Sequence, residues 1–127
     1  MRLRCWLSGW RGLDPNPRRT VIHPRRRAAE RLREALLELA QDRATILAHS
    51  EKSWASVTFA GARHRLVLVF EGARAIDAGE LFIALLPEHE FDLPGQLVAD
   101  ATVTEVDHRL QPQRMQVSCE LLLLEEG

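Results

Sequence analysis

From residue 54 to residue 70 the chain reads WASVTFAGARHRLVLVF, with apolar side chains recurring at every second position. That period belongs to the β-strand, where successive side chains point to opposite faces. Gly61-Ala62 lies at its centre, and glycine at the first central position suits a two-residue type II′ turn. Folding there sets Phe59 opposite His64, Val57 opposite Leu66 and Ala55 opposite Leu68, all on one face. The other face carries Trp54, Ser56 and Thr58 against Arg65, Val67 and Val69. Turn chemistry and side-chain alternation therefore agree on a hairpin.

On either side of this run the period changes. Ala28, Leu32, Leu36, Leu39 and then Ile46 or Leu47 recur at helical steps behind Pro24, a residue suited to a first helical position, and the spacing predicts a helix over 25–48. Its Glu30, Glu34, Glu38 and Asp42 are like-charged at i,i+4, so its stability must come from packing. Ile76, Leu81 or Phe82, and Leu85 place a second helix over 73–86, ended by Pro87, although Gly79 costs it about 1 kcal/mol relative to alanine.

The next stretch, LPEHEFDLPG at 86–95, reads as a connector anchored by Phe91 and Leu93 and turned at Pro94-Gly95. Beyond it, Leu97, Ala99, Ala101 and Val103 share one strand face, while Val98, Asp100, Thr102 and Thr104 share the other. Residues 115–124 repeat the alternation, with Val117, Cys119, Leu121 and Leu123 inward. Pairing Val103 with Val117 and Ala99 with Leu121 closes a second hairpin through the loop containing Pro112. Val106 falls out of phase with Val103, which predicts a bulge near Glu105.

The order is helix, hairpin, helix, hairpin. An α+β fold of order αββαββ follows, with a four-stranded antiparallel sheet and both helices on one face. As geometry, this is the ferredoxin-like arrangement permuted by moving its first strand to the end. The expected organisation is an Arg-rich N-terminal extension over residues 1–23 and a single α+β domain over 24–127.

Charge divides the chain in the same place. Residues 1–27 hold eight arginines against Asp14 alone, about +7, whereas the remainder holds nine basic and 17 acidic side chains, about −8. Arginine supplies all the basic residues except Lys52, a bias that fits phosphate recognition and also fits a GC-rich coding sequence. A start at Val21 would remove nearly the whole of the extension over residues 1–23. Apolar residues make up 46% of the 127, enough for a packed core. The longest apolar runs, such as 66–70 and 121–124, fall far short of the roughly 20 residues that span a bilayer. Cys5 and Cys119 build no disulfide framework, and the N-terminal apolar stretch is broken by Ser8, Gly9 and Arg11, so a reduced, cytoplasmic protein is expected.

No textual signature names a chemistry. Glu88, His89, Glu90 and Asp92 are ligand-type residues, yet they lack the spacing of a metal motif, and the expectation is a solvated connector without metal. Phosphate-binding and dinucleotide-binding glycine loops are missing, no serine sits in a nucleophile elbow, and Cys119 falls in an apolar strand, so no cofactor is expected. The outer sheet face is too apolar for solvent and too polar for a core: Trp54, Val67, Val69, Val98, Leu122 and Leu124 share it with Asp100, Thr102, Ser118 and Glu120. Such a face suits a partner surface. The leading expectation is association without catalysis, as a homodimer or partner-binding module, with Trp54, His64, His89 and Asp100 as candidate contact residues. One alternative is a small enzyme or ligand-binding domain using His89, Asp100 and His64; another is nucleic-acid binding through the Arg-rich tail.

Overall fold

A computed structural model describes residues 24–126; the expectations for residues 1–23 lie outside the described residues. Helix α1 (Pro24–Leu39) is followed by strands β1 (Ala44–Ala55) and β2 (Ala60–Glu71), helix α2 (Ala73–Leu85), a 3₁₀ turn (Leu86–Glu88), and strands β3 (Gln96–Leu110) and β4 (Gln113–Glu125). All pairings are antiparallel and the sheet order is β1-β2-β4-β3. The protein is an α+β fold of order αββαββ. Moving the first strand of the ferredoxin-like fold to the end produces this same strand order, so the permuted geometry holds down to the neighbour of each strand.

Both helices cover one face. Leu32 and Leu36 of α1, Ile76 and Phe82 of α2, and Leu66, Leu68, Phe70, Val117, Cys119, Leu121 and Leu123 of the two central strands form one buried cluster. Burying an aliphatic or aromatic side chain of this size stabilises by about 1.5–3 kcal/mol, so the cluster supplies the main driving force. Gly79 lets α2 close on the sheet: a Cβ there would run into the Met115 side chain and stand 3.0 Å from the Phe70 ring. Its helix-propensity cost is thereby offset by packing.

Helix α1 is shorter than the periodicity predicts. Ala40 is followed by Gln41 and Asp42 at φ 59° and 56°, and the Asp42 N–H donates to Leu37 O at 2.8 Å while the Gln41 N–H donates to Glu38 O at 2.9 Å. This is a Schellman ending, in which a left-handed residue satisfies the last carbonyls and turns the chain away. Residues 44–48 are therefore strand. Ile46 packs on the core and Leu47, in a bulge, is exposed, so the seven-residue step from Leu39 to Ile46 matched a helix by coincidence.

The first hairpin turns at 56–59 instead of Gly61-Ala62. Ser56 N–H donates to Phe59 O at 2.7 Å, and Phe59 N–H donates to the Ser56 hydroxyl at 3.1 Å. His64 then lies opposite Glu51, Leu66 opposite His49 and Leu68 opposite Ile46. The predicted partners Phe59, Val57 and Ala55 are replaced, but His64, Leu66 and Leu68 still face the core, because away from the bulge the register differs by an even number of residues. Gly61 is inside β2, where a Cβ would collide with the Leu123 carbonyl of β4; its role is close strand approach rather than a turn.

The second hairpin is also displaced. Val103 pairs with Cys119 and Ala101 with Leu121, two residues from the predicted register, across a tight loop at 111–112. The expected bulge lies between Val103 and Glu105. A further bulge between Val98 and Asp100 inverts the pattern before it, so Val98 packs on the core while Leu97 is 50% exposed on the outer face, the reverse of the alternation read from sequence. The connector behaves as read: Leu93 is buried, Phe91 half-buried, and Gly95 at φ 77° makes the turn into β3.

Candidate functional site

The four candidate residues occupy three different places. His64 is on the helix-covered face of β2 and only 2% exposed. Asp100 and Trp54 are on the opposite face, Asp100 exposed on β3 and Trp54 half-buried on β1. His89 is in the connector after α2, packed edge-to-face on Phe91 with ring centroids 4.6 Å apart. Because alternate residues point through opposite sides of a sheet, no single pocket is shared by His64 and Asp100. Glu88, Glu90 and Asp92 are exposed, and among the described residues no group of three His, Cys, Asp or Glu side chains is placed to hold a metal ion.

The covered face holds a polar chain that the sequence reading did not assemble. Arg33 of α1 donates from Nε to His49 Nδ1 at 2.8 Å, and His49 Nε2 is 2.9 Å from His64 Nδ1, the two rings tilted 46° with centroids 5.1 Å apart. A guanidinium can only donate, so His49 Nδ1 accepts; His49 then carries its proton on Nε2 and donates to His64 Nδ1. Burial, followed by the repulsion that a protonated His64 and the Arg33 guanidinium would exert on a second positive charge, pulls the His49 pKa down to about 3. Sequence flags these residues only through the true register, because the helical spacing over 25–48 and the strand run from 54 leave His49 in neither element. Nearby Cys119 is a core thiol whose pKa is pushed by burial up to about 12, which removes it as a nucleophile.

The outer face is not covered by either helix, and its cross-strand rows have a definite order. At the end bearing the 56–59 turn, Trp54, Gly61, Leu124 and Leu97 lie side by side across β1, β2, β4 and β3. The next row runs Lys52, Arg63, Leu122, Asp100, and the one after it Ser50, Arg65, Glu120, Thr102. In these two rows the cationic side chains belong to β1 and β2, and the anionic ones to β4 and β3. Glu120 joins the halves: Arg65 donates to it from Nη2 at 2.9 Å and from Nε at 3.2 Å, and Arg63 from Nη1 at 3.2 Å. The hydrogen bond from Arg65 is the main reason the Glu120 carboxyl titrates below its ordinary range. Exposed Val57 and Phe59 extend the apolar end beyond the sheet. At the opposite end Asp107, Arg109, Arg114 and Gln116 line a small polar cleft.

The described residues form a two-helix, four-stranded α+β fold with one sheet face that neither helix covers. No family model and no curated protein matches the chain. Among solved structures, a chain of the virion of a native gene transfer agent (GTA) particle is similar at 14% identity and a TM-score of 0.48, over 79% of this chain and 92% of that one. Among the described residues no helix is long and apolar enough to cross a membrane.

Proposed function

We propose that the protein works by association, pairing with a second copy of itself through the outer sheet face. The observation that carries this reading is the self-complementarity of that face. A copy turned by 180° about an axis parallel to the strands sets β1 over the partner's β3 and β2 over the partner's β4. Lys52 then meets the partner's Asp100, Arg65 meets the partner's Glu120, and Trp54 meets the partner's Leu97. Each contact occurs twice, as an isologous interface requires. Sheets that pack face to face stay within about 30° of alignment, which keeps these rows in reach near the axis.

The size is sufficient. Four strands about 4.8 Å apart and roughly 12 residues long present roughly 700 Å², close to the about 800 Å² per partner of a stable interface. Trp54 is the natural anchor, because tryptophan is enriched among the few residues that carry most of the binding energy of an interface. The location of His64 and Asp100 on opposite faces supports the same reading over the enzyme alternative. Nucleic-acid binding through residues 1–23 rests on their arginines alone.

Analytical ultracentrifugation of the full chain at tens of micromolar tests the proposal. A dimer is expected, converted to monomer by Lys52→Glu or by Asp100→Lys and restored when both changes are combined. A wild-type monomer at high micromolar concentration, or a double variant no better than the singles, sinks it.

A further inference from the structure

We propose that Arg33, His49 and His64 form a proton-sensitive latch that holds helix α1 on the sheet. The three residues come from three elements, α1, β1 and β2, and their contacts run in one direction, from guanidinium to imidazole to imidazole. That direction admits one proton arrangement. Both rings must be neutral and both must carry the proton on Nε2, because Arg33 always donates. A proton added at His49 Nδ1 faces the Arg33 N–H. A proton added at His64 Nδ1 faces the His49 N–H. Either event places donor against donor and breaks the chain.

The surroundings oppose charging as well. Arg33 approaches His49 from α1, and His64 approaches it from β2. Glu51 is the next covered-face residue along β1, directly opposite His64, and Glu30 lies one turn before Arg33 on α1. Across the sheet the same row continues through Leu66 to Cys119, an uncharged thiol. Glu125 of β4 lines a small cavity together with Glu51 and His64, so acids stand at the His64 end of the pair and the Arg33 cation at the His49 end, and the hydrogen-bond direction, more than net charge, decides the protonation state.

The consequence is an opening of α1 that depends on acidity. When α1 lifts, the His49 ring returns to water and regains an ordinary affinity for protons; while latched, it resists them. The opening equilibrium of α1 then rises roughly tenfold for each pH unit below about 6.5. Lifting α1 uncovers Ala28, Leu32 and Leu36, and with them the covered-face ends of β1 and β2 where His64 is buried. Neutral histidines at such a junction are suited to report pH, since small changes of environment move their charge across the range from 5 to 8.

Two measurements on the full chain test this. Long-range ¹⁵N–¹H spectra of the wild-type imidazoles at pH 7 should show the Nε2–H tautomer for both His49 and His64, with His49 still neutral at pH 5. A His49 that titrates near 6.5, or an Nδ1–H tautomer, overturns the latch without any variant. Native-state hydrogen exchange, corrected for intrinsic rates, should show α1 amides opening roughly tenfold more per pH unit between pH 6 and 4, while β4 amides change less. His49→Gln retains an acceptor for Arg33 and a donor for His64 but has no titrating group, so its slope should fall by about one proton. An unchanged slope in that variant also overturns the proposal.

Discussion

The two faces of this sheet are made by the same four strands and differ in almost every other respect. On the covered face Leu66, Leu68, Leu121 and Leu123 are fully buried under α1 and α2. One residue away along each strand, Arg65, Val67, Glu120 and Leu122 look outward and remain partly or wholly accessible. The covered face is specified by volume and tolerates one polar chain whose hydrogen bonds run in a fixed direction. The outer face is specified by arrangement, an apolar end beside a belt divided into a basic and an acidic half. Period-two alternation makes both faces at once; only the helices decide which becomes a core.

Neighbouring leucines give the sharpest contrast. Leu121→Ala opens a cavity in the core and is expected to cost about 2–5 kcal/mol in chemical denaturation. Leu122→Ala, on the outer face, should cost under about 1 kcal/mol of fold stability while weakening self-association. Equal losses of fold stability at the two positions would erase the distinction between the faces.

Acid should act on the covered face first. The folded pKa of His49, about 3, lies below the value of 6.5 expected when unfolded, so the unfolded chain takes up the proton more readily. Its contribution is present in full above about pH 6.5 and is lost as pH falls towards 3. Between pH 6.5 and 4 a loss on the order of 1–3 kcal/mol is expected after allowance for solvent screening. Denaturation midpoints of wild type and His49→Gln across that range measure it; parallel profiles would place the pH dependence elsewhere.

The outer belt should respond in association rather than folding. Lys52→Glu is expected to raise the dimer dissociation constant at least tenfold, about 1.4 kcal/mol, with thermal stability of the monomer nearly unchanged. Salt should weaken the wild-type dimer in the same direction. The smallest effect is expected at Glu120→Gln, where Arg65 is exposed, Arg63 is half-buried and solvent screens the ion pairs; the urea midpoint of the monomer should hardly move.

Much of the covered face was legible from residue order. Leu66, Leu68, Val117, Cys119, Leu121 and Leu123 were placed inward by alternation alone, and they are inward. The bulge near Glu105 and the anchors Phe91 and Leu93 could likewise be read from broken or sustained phase. The site was less legible. His49 meets His64 and Arg33 only because the hairpin turns at 56–59 and α1 stops at Leu39, and both choices hide in residues of mixed character. Gln41 and Asp42 carry no glycine to announce a left-handed turn, while Gly61 announces one that does not exist.

By itself, the sequence determined the αββαββ order and which β2 and β4 residues share a face, because strand and helix periods are local properties of alternation and spacing. Register, the second bulge that reverses Val98 and Leu97, and the meeting of Arg33 with two histidines were decided only in the tertiary structure. Sliding a hairpin by an even number of residues leaves every side chain on its own face, so local patterning cannot distinguish the alternatives. What distinguishes them is packing between elements far apart in the chain: Gly61 against Leu123, Gly79 against Met115, and α1 against the strand it was expected to include.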